Sequence, residues 1–160
     1  MLTPNSVEIL RALDKNEFKR FGDFIKSPYF NSVEILGKIY DETAKVYPDF
    51  ENPRLSYEKI SKKIYPGKKF NEQTIRNLYS KFGNLLKKFV AVENIMNDED
   101  TINLNMVDGI SKKKLFESSN KLIDKFRKGK IESKIFSVWD LYFFFRIEHQ
   151  YYHNLVLLHK

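Results

Sequence analysis

Between residues 72 and 96 the apolar side chains return every three or four positions. Ile75, Leu78, Tyr79, Phe82, Leu85, Leu86, Phe89 and Val90 fall on one face of about 140°. A run this long and this regular fits one amphipathic helix and nothing else. It must bury that face against other elements, and Asn71 stands where an N-cap belongs.

Most of the remaining chain carries the same period. Asp14-Lys15-Asn16-Glu17 is a capping-box pattern, followed by Phe18, Phe21 and Phe24-Ile25 at helical spacing. Ser27-Pro28 ends that helix. Asn31-Ser32-Val33-Glu34 repeats the capping pattern ahead of Leu36, Ile39 and Tyr40, and Pro48 stops the run. Ser56 opens a short helix with Tyr57, Ile60 and Ile64, and Pro66-Gly67 turns the chain. Residues 101–110 read as a short helix or loop. Ser111 opens a further helix that ends on Gly129 as its C′ residue, and Ser133 opens the last.

The expected fold is therefore all-α: one bundle of five to seven helices. A winged-helix-like or helix-turn-helix unit in residues 32–96 is one form of it, with a small hairpin near 66–70 as its wing. The 160 residues read as one domain, with a helical unit over 1–96, an acidic connector over 97–111 and C-terminal helices over 112–160. Phe21, Ile39, Leu78, Phe82, Leu86 and Trp139 are the expected core. The last helix is apolar on too many sides for one buried stripe: Ile135, Phe136, Val138, Trp139, Leu141, Phe143, Phe144, Phe145 and Ile147. The chain stops on Leu155-Val156-Leu157-Leu158-His159-Lys160 with no terminating signal, which reads as a truncated chain or an intermolecular contact.

Charge is placed unevenly. Residues 59–88 hold nine basic side chains against one acid, a local balance of +8 beside +7 for the whole chain. Residues 112–130 hold eight basic side chains and two acids, whereas 89–111 hold five acids and no base. Lys, Asn, Ile, Phe and Tyr are enriched together, as A+T-rich coding produces, so placement says more than the total. There is no cysteine, which removes disulfides, thiolate chemistry and Cys-ligated zinc. The N-terminus lacks the pattern of a secretory leader, and the most apolar run, residues 141–145, is far too short to span a bilayer. A soluble cytoplasmic protein is the expectation.

The stretches L-D-K-N-E-F-K-R-F-G-D-F-I-K-S-P-Y-F-N, Y-P-D-F and K-K-I-Y-P-G-K-K-F-N-E-Q-T-I-R-N-L-Y-S-K-F resemble the N-terminal region of a family of uncharacterised helical proteins from Bacteroidota and related bacteria. The likeness covers roughly residues 1–95, and members of that family are longer, helical and repeat-like. It implies an all-helical fold, with Ser27-Pro28 and Pro66-Gly67 as turns and the aromatics as core. It brings no activity and no functional residue.

The polar arc of the long helix holds Gln73, Arg76, Asn77, Ser80, Lys81, Asn84, Lys87 and Lys88, with Lys62, Lys63, Lys68 and Lys69 ahead of it. Arg reads guanine edges, Asn and Gln read adenine edges, and Lys neutralises phosphates. The first reading is a non-catalytic module that contacts nucleic acid through this basic face, with 112–130 as a second strip. A solvated helix face uses the same residue types. The second reading is a protein-interaction or scaffold module, or a homo-oligomer, that uses the aromatic last helix. Pro66-Gly67-Lys68-Lys69 lacks phosphate-loop spacing, and His149 and His153 lack a third ligand and the H-E-x-x-H pattern. No catalytic residue, cofactor, metal, membrane contact or small-molecule substrate follows from the sequence.

Overall fold

The computed structural model describes residues 2–132 and 137–158. The predicted opening of the last helix at Ser133, together with Ile135, Phe136, His159 and Lys160, lies outside them. Every regular element among the described residues is helical: eight α-helices and one 3-10 turn, with no strand. That is an all-α fold with one helix more than expected and no wing hairpin. The chain forms two compact units, Met1–Val92 and Glu93–Lys160.

The first unit contains α1 (Pro4–Ala12), α2 (Lys15–Lys26), α3 (Ile35–Ala44), the 3-10 turn Pro53–Leu55, α4 (Tyr57–Ile64) and most of α5 (Glu72–Met96). Asp14 caps α2 as its spacing predicts: its carboxylate accepts from the amides of Asn16 and Glu17, and Glu17 accepts from the amide of Asp14. Asn71 accepts from the amide of Thr74 at 3.1 Å and caps α5. Asn31 does not cap α3, which begins at Ile35. Its side chain instead accepts from Val33 N and donates to the carbonyls of Ile25 and Val33, which ties the turn to the end of α2.

Phe21 is the hub of this core. It meets Phe82 at 5.4 Å, Phe89 at 5.4 Å and Tyr40 at 5.8 Å between ring centroids. Two buried tyrosines keep their hydroxyls satisfied: Tyr40 donates to Phe18 O at 3.0 Å and Tyr79 to Leu55 O at 2.6 Å. Five of the six expected core residues are buried. The exception is Trp139, which is 77% exposed. Val90 lies at the edge of the predicted apolar face and is also exposed.

The second unit packs α6 (Glu99–Lys112), α7 (Phe116–Glu132) and α8 (Val138–Leu158). The expected acidic connector is thus mostly a helix, because Asp98 caps it by accepting from Thr101 N and Oγ1. Ser111 closes α6 rather than opening α7. The turn follows it, with Lys114 at φ 61°. Gly129 is interior to α7, not its terminus. The apolar core is small: Val107, Ile123, Phe143 and Ile147. A polar cluster completes it. Fully buried Asn154 donates to Ser119 Oγ and Asn120 Oδ1 and accepts from Ser111 Oγ and Gln150 Nε2, all within 2.6–2.9 Å. No described helix is long and apolar enough to cross a membrane.

Candidate nucleic-acid interface

All twelve residues singled out from the sequence are exposed. Lys62 and Lys63 end α4, Lys68 and Lys69 lie in the seven-residue link over residues 65–71, and the other eight lie on α5. That link is longer than the three or four residues of a helix-turn-helix turn. Burial of Ile75, Leu78, Tyr79, Phe82, Leu85, Leu86 and Phe89 fixes the rotation of α5. At 100° per residue Arg76 and Lys87 sit on one edge of the outward arc. Lys81 and Lys88 sit on the other, with Gln73, Asn77, Ser80 and Asn84 between. From Gln73 to Lys88 the arc runs about 22 Å along the helix at 1.5 Å per residue.

Two clefts gather part of this set. Lys81, Asn84, Leu85 and Lys88 face Phe30, Asn31, Ser32, Val33 and Leu36 across a cleft of about 200 Å³. Lys68 and Lys69 join Ser61, Tyr65, Asn71, Thr74 and Ile75 around a second of about 260 Å³. Arg76 is less free. Its guanidinium pairs with Glu72 at 2.6 Å and lies 5.9 Å from the Tyr57 ring. Gln73 donates to Asn77 at 2.9 Å, so these two amides are occupied along the helix. Lys62, Lys63, Lys68, Lys69, Lys81, Lys87 and Lys88 have no carboxylate partner among the described residues.

The second basic strip is partly neutralised within its own unit. Lys112 pairs with Asp108, Arg127 with Asp124 and Glu148, and Lys130 with Asp100 and Asp140. Burial pulls the Lys130 ammonium down, but its hydrogen bonds to Asp100 and Asp140 outweigh that and raise its pKa overall. Asp140 is held well below the usual carboxylate range by the hydrogen bond from Lys130 and by those from Ser137.

One element of this face was not recognised from the sequence. Tyr29 is 87% exposed and Phe30 is half-exposed on the turn that borders Lys81, Asn84 and Lys88. Phe30 stacks on buried Phe24 at 4.1 Å and Tyr29 meets Phe30 edge-on, so Phe30 leans on the core and Tyr29 is the ring held outward. The S-P-Y-F-N motif carried the signal, because a turn straight after Pro28 cannot bury both rings. Cationic and flat aromatic groups side by side can hold a phosphate and stack a base.

No family model, curated protein or solved structure matches this chain.

Proposed function

We propose that the first unit contacts nucleic acid through the α4–link–α5 face, used as a helix-turn-helix-like surface without a wing. The observation that carries this reading is the set of seven lysines on α4, the link and α5 that no carboxylate among the described residues neutralises. They offer charge to phosphates, while Asn84 stands between Lys81 and Lys88 as a hydrogen-bonding group and the paired Gln73 and Asn77 keep their second amide atoms outward. The exposed Tyr29 and Phe30 beside Lys81 and Lys88 favour strands with accessible bases over closed duplex.

The test is a fluorescence-anisotropy titration with duplex and single-stranded oligonucleotides at two salt concentrations. Neutralising about five to eight phosphates weakens duplex binding roughly 500- to 20,000-fold between about 50 and 200 mM salt. Combined Lys81→Glu, Lys87→Glu and Lys88→Glu should abolish binding. Tyr29→Ala should weaken the single strand and spare the duplex. Affinity that ignores salt, or that survives the triple reversal, sinks the reading.

A second reading is favoured by one observation in the other unit. Val138, Trp139, Leu141, Tyr142, Phe145, Tyr152 and Val156 are all exposed on α8, as a protein-contact surface would be.

A further inference from the structure

The outward side of α8 is ordered, not merely apolar. Val138, Tyr142, Phe145, His149, Tyr152 and Val156 are exposed and follow one another at spacings of 4, 3, 4, 3 and 4. That is the a/d rhythm of a coiled-coil seam. The opposite side carries Phe143, Ile147 and Asn154, which are buried in the unit's own core. α8 thus has one satisfied face and one unsatisfied seam.

The seam reads the same in both directions: valine, tyrosine, ring, ring, tyrosine, valine. Set two copies of α8 antiparallel with the two-fold axis level with residue 147. Val138 then faces Val156 of the other copy, Tyr142 faces Tyr152, and Phe145 faces His149. Every layer is filled, no seam position overhangs, and the opposed helix dipoles run in the favourable sense.

Deepening the protein-contact reading, we propose that the partner is a second copy of this chain, joined through an antiparallel α8–α8 seam. The area is sufficient. Trp139, Tyr142, Phe145 and Tyr152 are 77%, 48%, 66% and 63% exposed. At roughly 200 Å² per aromatic side chain they leave on the order of 500 Å² open. Val138, Leu141 and Val156 supply much of what remains to the ~800 Å² per partner of a standard interface. The charges are also disposed for it. Asp140 and Glu148 are turned to Lys130 and Arg127 of their own unit, so the seam carries no fixed charge that demands an opposite one. The pairing creates one like-charge approach, Arg146 to its copy on the flank of the central layers. Arg146 donates to Tyr142 Oη at 2.7 Å, which holds it along its own helix.

The experiment uses the full chain. Sedimentation velocity from about 1 to 200 μM should show a monomer–dimer equilibrium. Phe145→Glu should shift its midpoint upward by roughly tenfold or more, as loss of a central anchor does. Tyr152→Lys serves as a second variant in case Phe145→Glu does not fold. Arg146→Gln should tighten the dimer. The chain has no cysteine, so orientation is read by oxidation. Val138→Cys with Val156→Cys should cross-link two chains, and Val138→Cys alone should not. Cross-linking by Val138→Cys alone, or a monomer throughout, overturns the proposal. Trp139 is the chain's single tryptophan and separates this failure from failure of the contact reading. A monomer with solvent-like Trp139 emission removes only self-pairing. A monomer with blue-shifted emission shows the face already covered and removes both.

Discussion

Asn154 offers a sharp test of how the second unit is held. Among the described residues its apolar core has four fully buried side chains, so the polar cluster supplies much of the specificity. Asn154→Ala removes hydrogen bonds to Ser111, Ser119, Asn120 and Gln150 and leaves a small cavity. Some partners recover. Ser119 still donates to Val107 O at 3.1 Å, and Ser111 still accepts from Gln150 at 2.9 Å. Asn120 is half-buried and can turn to water. What remains lost is about two net hydrogen bonds and the packing of one side chain, ~2–4 kcal/mol together. At 1.4 kcal/mol per decade this accelerates amide exchange through opening of the unit roughly 30- to 700-fold. Hydrogen exchange read by mass spectrometry should show the loss in α6, α7 and α8 and not in α2 or the middle of α5. Asn154→Leu restores volume without hydrogen bonds and should remain destabilised. Adding Ser111→Ala to it should recover part of the loss, since the buried Ser111 hydroxyl, whose acceptor was Asn154 Oδ1, is then gone. If Asn154→Leu alone restores protection, packing and not hydrogen bonding holds the unit, and the reasoning fails.

In the first unit, Phe82→Ala should cost ~3–5 kcal/mol, because the ring is fully buried against Phe21, and chemical denaturation measures it. Gly22→Ala places a Cβ 2.5 Å from Tyr40 Cζ, so the Tyr40 ring must shift, and a loss of ~1–3 kcal/mol should appear as a lower melting temperature. Burial pushes the Tyr79 phenol well above its ordinary value, the proton being held more tightly folded than unfolded. That contribution is complete below pH ~10 and lost as pH rises above it, so the denaturation midpoint should fall in alkali, and Tyr79→Phe should blunt the fall. Asp140 has the opposite sign: its depressed pKa gives stability above pH ~4 that drains away as pH falls, and Asp140→Asn should flatten the acid limb for α8 in exchange measurements.

The first unit was legible because its apolar residues occupy one face per helix. α5 is the clear case: Ile75, Leu78, Tyr79, Phe82 and Leu86 can turn only one way, and the structure turns them that way. The caps at Asp14 and Asn71 were legible because side-chain-to-backbone bonds are local. The exposed Tyr29 was not legible, because aromatic character argues for burial and only the tightness of the turn argues against it. The basic face could be enumerated from the sequence. Its two clefts could not, since Phe30 and Lys81 meet only through the packing of distant segments.

α8 shows why periodicity failed in the second unit. Tyr142 and Phe145 lie on one side of the helix and Phe143 and Ile147 on the other, and hydropathy cannot choose between two apolar faces. The polar residues made the choice. Asp140 reaches Lys130, Glu148 reaches Arg127, and Asn154 reaches Ser111 and Ser119. Asp140, Phe143, Ile147 and Asn154 follow at intervals of 3, 4 and 7 residues and so share one face, and the inward face is the one with polar side chains at both ends. Inside, Asn154 keeps a full set of hydrogen bonds to Ser111, Ser119, Asn120 and Gln150, so its burial carries no stranded amide and is compatible with Phe145 in water. A rule that sends polar residues outward therefore inverts this helix. The same inversion leaves the seam from Val138 to Val156 facing out, which is where a second apolar surface must be sought.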